Sequence, residues 1–186
     1  MRLFTALALP EEVREELSAI CSGVPGARWI PPENMHLTLR FIGEVDNALA
    51  RDIDDMLLGL NGKGFELTLS GVDVFTDGPR ITSLWAGVEA NEALNRLQGK
   101  VEQAVIRAGL PPERRKFKPH VTLARGRIEN GRKLQQFMSH NALLKIGPFR
   151  VEDFVLFSSF LSQSGPLYTE EASYPLEPVY AQMPMR

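Results

Sequence analysis

The chain has 186 residues, 44% of them hydrophobic and 24% charged, an ordinary balance for a soluble globular fold. A net charge of −2 argues against global attraction to nucleic acid, and a single cysteine excludes an internal disulfide or a cysteine metal cluster. No apolar run approaches the roughly 20 residues that span a bilayer, so no membrane attachment is expected, and the expected compartment is the cytoplasm.

The opening MRLFTALALPEE resembles a signal peptide only briefly. Its apolar run stops at Pro10, Glu11 and Glu12 follow, and no small-residue cleavage site appears. The stretch is predicted instead as a buried strand feeding a helix, with Val13, Leu17, Ile20, Cys21 and Val24 on its apolar stripe. Cys21 in that stripe is expected to be a buried structural thiol.

MHLTLRFIG (residues 35–43) is predicted as the next strand. Alternate strand residues share a face, so His36, Thr38 and Arg40 should point one way and Leu37, Leu39 and Phe41 the other. Alone, a histidine so placed is more often structural than functional. A helix over Asp46–Leu60 follows, with Leu49, Ile53, Met56, Leu57 and Leu60 inward. Glu44, Asp46, Asp52, Asp54 and Asp55 form a solvated acidic face. FELTLSGVDVF (65–75) and a turn-rich stretch at Gly78-Pro79 close this half, and the strand SLWAGV before the next helix answers TALAL before the first.

From there the pattern repeats. HVTL at His120 stands 84 residues after HLTL at His36. The same shift carries the first helical stripe onto Leu97, Val101, Ala104, Val105 and Ala108, and FELTLSGVDVF onto GPFRVEDFVLF (147–157). Arg132–Met138 offers a shorter second helix, and Gly165-Pro166 a matching turn. The predicted fold class is α+β: one bilobal domain of duplicated β-α-β-α-β-β units, over about 1–80 and 81–186. Two mostly antiparallel sheets would be related by a pseudo-twofold axis around a central cleft, with room for terminal strands to exchange between lobes. Both HxTL motifs would then face each other.

Two matched histidines carry more weight than one. His140, in the polar stretch SHN, lacks this context and is expected at the surface. No Cys, Asp or Glu accompanies the pair within the motifs, a poor donor set for catalytic zinc, which usually takes three protein ligands. Six basic residues and no acid lie between Arg114 and Arg127, around the second motif. Paired imidazoles with hydroxyl and guanidinium donors suit phosphoester chemistry, one ring acting as base and the other as acid. Sequence position does not say which is which. Arg125 breaks the alternation and would need a bulge or the strand's end to reach the groove.

MHLTLRFIGEV with RWIPPEN before it, PHVTLAR and FSSFLSQSGPLY resemble the 2H phosphoesterases, and within them the RNA 2′,3′-cyclic phosphodiesterase (2′-5′ RNA ligase, or LigT-like) group. That resemblance implies a bilobal fold, no cofactor and no metal, and hydrolysis of a 2′,3′-cyclic phosphate at an RNA 3′ end to a 2′-phosphate. Reversible 2′-5′ ligation is implied for some members. It makes His36 the proton donor and His120 the proton acceptor, with Thr38, Thr122 and Arg125 on the phosphate. Arg40, of suitable parity, joins them. Phe41 and Tyr168 are similar to family positions near the terminal base and the cleft. Partners would be RNA 3′ ends or nucleotides bearing a 2′,3′-cyclic phosphate, with no obligatory protein partner. The alternatives are the same chemistry on a small cyclic-phosphate nucleotide or ADP-ribose derivative, and a non-catalytic RNA-end-binding module.

Overall fold

Strand β1 (Arg2–Ala8) is buried at every position between its two ends, which suits only a central strand. In the computed structural model, which describes residues 1–178, it has β3 (His36–Glu44) on one side and β8 (Asp153–Ser162) on the other. The other elements are α1 (Glu11–Ile20), β2 (Ala27–Trp29), α2 (Asn47–Leu58), β4 (Phe65–Asp77), β5 (Arg80–Val88) and α3 (Glu92–Arg107). β6 (His120–Ile128), α4 (Arg132–His140), β7 (Lys145–Val151) and β9 (Gly165–Pro175) complete the described residues.

The fold is α+β, as the alternating periodicities indicate. Its nine strands form one antiparallel sheet, however, where two were expected. The order is β7-β4-β5-β6-β3-β1-β8-β9, with β2 added beside β6. A single register pair, Leu37 with Val121, joins β3 to β6 at the centre.

The helices form where the stripes predict them, except that α1 ends at Ile20 and leaves Cys21 and Val24 beyond it. Val13 and Leu17 of α1, Ile53 and Leu57 of α2, and Leu94, Leu97, Val101, Ala104 and Val105 of α3 are buried in one cluster with Leu37, Leu39, Val121 and Leu123. Asp46 caps α2 by accepting from Leu49 N at 2.8 Å. Met56 departs from the expected stripe and is 42% exposed. The stretch 147–157, expected as one strand, is split at Glu152. Its first part lies beside β4 and its second beside β1. The leucine side of the central strands thus faces the core, leaving the histidine side open.

Candidate active site

Two departures from the strand's two-residue period shape this side of the sheet. On β3, Thr38 stands opposite Ala6 and Arg40 opposite Thr5, so Leu39 is an extra residue. On β6, Thr122 stands opposite Trp85 and Ala124 opposite Leu84, so Leu123 is extra. Both are β-bulges, which redirect the side chains beyond them. They occupy matched positions of the repeat. Each bulge carbonyl has a partner from outside the main ladder: Gln98 Nε2 donates to Leu39 O at 3.4 Å, and Ile30 N donates to Leu123 O at 2.8 Å.

The bulges correct the alternation drawn from sequence. Leu39 and Arg40 are both buried, and Phe41, expected to point away from the groove, is 59% exposed. Its ring lies 6.1 Å from Phe4, which itself packs 4.9 Å from His36. On β6 the same step buries Leu123 and Ala124 and exposes Arg125. Arg40, expected as a phosphate donor, is instead 8% exposed and fully engaged. Its Nε pairs with Glu102 of α3, Nη1 donates to Phe41 O, and Nη2 donates to Pro111 O at 2.6 Å. It belongs to the framework.

Both imidazoles are held alike. His36 Nδ1 lies 2.8 Å from Asn34 O, and His120 Nδ1 lies 2.7 Å from Lys118 O. A carbonyl only accepts, so each Nδ1 carries hydrogen and each neutral ring presents a lone pair at Nε2. At His36 that nitrogen is 3.1 Å from Thr38 Oγ1, whose hydroxyl donates to it. The backbone carbonyl two residues upstream therefore sets both tautomers. The role of these two carbonyls was not legible in the sequence, although the 84-residue shift that pairs the histidines also pairs Asn34 with Lys118, one of the six basic residues.

The surroundings of the two rings differ. His36 sits in an aromatic box, with Phe4 at 4.9 Å, Tyr168 edge-on at 5.4 Å and Phe157 at 6.3 Å. His120 meets Phe75 edge-on at 4.9 Å and Trp85 at 5.7 Å, and Lys118 Nζ lies 5.0 Å from the centre of the Trp85 ring. The Trp85 indole N–H is buried without a partner among the described residues. Burial pushes His36 down to about 4, against the help of the Asn34 carbonyl, and the charges of Arg125 and His120 lower it further. His120 is lowered as well, chiefly by burial, with Arg125 and Lys118 adding to it.

The structure therefore brings His36, Thr38, His120, Thr122, Arg125, Phe41 and Tyr168 to one side of the sheet, and Arg40 to the other. The aromatic partners Phe4, Phe157, Phe75 and Trp85 escaped the sequence reading, because aromatic residues in strands look like ordinary core. His140 lies at the exposed end of α4, as expected. Among the described residues, no three of His, Cys, Asp or Glu converge as a metal site requires, and no helix is long and apolar enough to cross a membrane.

The chain matches the LigT-like phosphoesterase family over residues 7–85 and 87–168. It belongs to that family. As a phosphoesterase of this family it is 32% identical over 177 residues to an RNA 2′,3′-cyclic phosphodiesterase of Methanothermobacter thermautotrophicus, covering 91% of this chain and 96% of the relative. An Archaeoglobus fulgidus protein of the same name is 31% identical, covering 91% and 97%. Among solved structures, Escherichia coli LigT complexed with 3′-AMP superposes with a TM-score of 0.77 at 26% identity, covering 94% of this chain and 97% of that one.

Proposed function

We propose that the protein hydrolyses 2′,3′-cyclic phosphates at RNA 3′ ends to 2′-phosphates, without a metal. The observation that carries this reading is the matched pair of imidazoles, each fixed at Nδ1 by a backbone carbonyl and presenting Nε2 on one side of the sheet. The names of the relatives support the substrate.

In the proposed step, His120 Nε2 takes a proton from water as the water oxygen attacks phosphorus. The bond from phosphorus to O3′ breaks, and His36, protonated at Nε2, gives its proton to O3′. Thr38, Thr122 and Arg125 donate to the non-bridging oxygens, where charge accumulates. Tyr168, edge-on to the His36 ring, and Phe41, on the far side of Phe4, offer faces for the terminal nucleoside. Replacing the water by the 5′-hydroxyl of a second RNA turns the same step into 2′-5′ ligation.

The two family matches, 7–85 and 87–168, support a duplicated and bilobal architecture about a pseudo-twofold axis near the central sheet pair. The mirrored order β7-β4-β5-β6 and β9-β8-β1-β3 fits the same reading. A cytoplasmic setting suits Cys21, a free thiol that burial pushes up to about 11 and so keeps protonated.

The test is product analysis on an RNA ending in a 2′,3′-cyclic phosphate. A 2′-phosphate is expected. A 3′-phosphate would reverse the leaving-group assignment, and no turnover would sink the proposal.

A further inference from the structure

The short strand β2 places Arg28 directly opposite Arg125 of β6. Like charges directly opposite each other in a sheet are destabilising. Here, among the described residues, no carboxylate offsets the repulsion. Arg28, Arg125 and Arg127 are all exposed, and among the described residues none of them makes an ion pair. Together with Gly26, Thr82 and Gly126 they line an open depression of roughly 570 Å³ with no acidic residue on its walls.

The backbone is shaped to allow this. Gly126 has φ +135°, and a Cβ there would come within 2.5 Å of Gly26 O and 3.6 Å of the Arg28 Nε. Gly26 has φ +81°, and a Cβ on it would overlap Arg127 O. Two glycines thus let β2 approach β6 closely enough for the Arg28 side chain to lie across Gly126, between Arg125 and Arg127. Arg125 links this depression to the candidate site: it lines the one, stands three residues beyond Thr122 on β6, and its charge lowers both histidines.

We propose that this depression binds the phosphodiester next upstream of the terminal cyclic phosphate, with Arg28 and Arg127 as its ligands and Arg125 shared with the reacting phosphorus. This rests on the cyclic phosphodiesterase reading above and deepens it. The preferred substrate is an RNA strand, and a lone cyclic nucleotide leaves the subsite unfilled. Arg125 and Arg127 are two strand residues apart, about 6.5 Å along β6, so the subsite extends in one direction, along a chain. A guanidinium suits a phosphodiester because its planar fork meets two oxygens at once.

The experiment compares a 2′,3′-cyclic mononucleotide with a trinucleotide ending in the same group, for the unaltered protein, Arg28→Ala and Arg127→Ala. For the trinucleotide, kcat/KM should fall about tenfold in each variant, mostly through KM. Its salt dependence, plotted as log kcat/KM against log salt, should become shallower by about 0.7 per arginine removed. For the mononucleotide neither quantity should move by more than about twofold. Equal losses on both substrates, or no loss on either, would overturn the subsite. A trinucleotide ending in a 3′-phosphate provides an arm independent of catalysis. Its binding, followed by fluorescence anisotropy, should weaken in both variants even if no cyclic phosphate is hydrolysed. Unchanged binding there rejects the subsite and leaves the hydrolase reading standing. Both arginines are exposed, so circular dichroism should show the variants folded.

Discussion

Leu37 lies opposite Val121 in the one register pair that joins β3 to β6, and each is flanked by the histidine and threonine of its own motif. The antiparallel register of this pair sets His36 toward Thr122 and His120 toward Thr38. The two histidines become diagonal neighbours, a relationship that in sheets spans about 7–8 Å. Both anchoring side chains are fully buried, 0% exposed. The spacing of the two histidines and the core therefore share one contact.

Leu37→Ala tests that sharing. It should destabilise the protein by about 2–5 kcal/mol, as large-to-small changes in cores do, and should lower kcat although every site residue is retained. Denaturant unfolding and steady-state kinetics at a temperature where the variant is folded would check both. Full kcat in a destabilised variant would mean that the two halves hold their relative position by other means.

His36→Ala and His120→Ala should each reduce turnover of a 2′,3′-cyclic phosphate by at least about a hundredfold, the usual scale for losing a general acid or base. Both rings are partly buried at the sheet surface, so the fold should persist, as far-ultraviolet circular dichroism would show. Their double variant should be little worse than either alone, because in the proposed reaction acid and base act in one step.

Both histidines are held below their ordinary value, His36 at about 4. With His36 as the proposed acid, a free protein in which it titrates that low has its kcat/KM optimum on the acidic side of pH 6.5. Bound phosphate favours the imidazolium, so the optimum in kcat should lie higher than that in kcat/KM. Coincident optima near neutrality would contradict the burial argument. Stability follows the same shift. A pKa lowered on folding leaves stability complete above about 6.5 and erodes it as pH falls toward 4. His36→Gln should flatten that slope in acid unfolding curves.

Arg40 and Glu102 form a buried pair, 8% and 15% exposed, that ties β3 to α3; Glu102 also accepts from Glu113 N at 2.8 Å. Arg40→Ala leaves a carboxylate behind and should cost about 3–5 kcal/mol. Where the variant is folded, KM for a cyclic mononucleotide should be nearly unchanged, since the guanidinium faces away from the histidines. A large KM increase with little loss of stability would return Arg40 to the phosphate.

The matched motifs, the helical stripes and the α+β class were legible because each rests on a period that residue types mark clearly. The bulges at Leu39 and Leu123 were not. A leucine looks the same inside a regular ladder as at its interruption, so simple alternation misplaced Arg40 and Phe41. Arg125 carried the one warning, since its residue type disagreed with its parity. The joining of all strands into one sheet also escaped notice, because it depends on a single long-range pair. Strand β2, only three residues long, is too short to show a period.

The mirrored strand order has a consequence for how the chain comes into being. β4 closes onto β5, its immediate successor, but β1 finds its second neighbour only in β8, about 150 residues later. During synthesis β1 therefore waits with one edge unsatisfied until β8 has left the ribosome. The half that contains His36 is begun first and finished last.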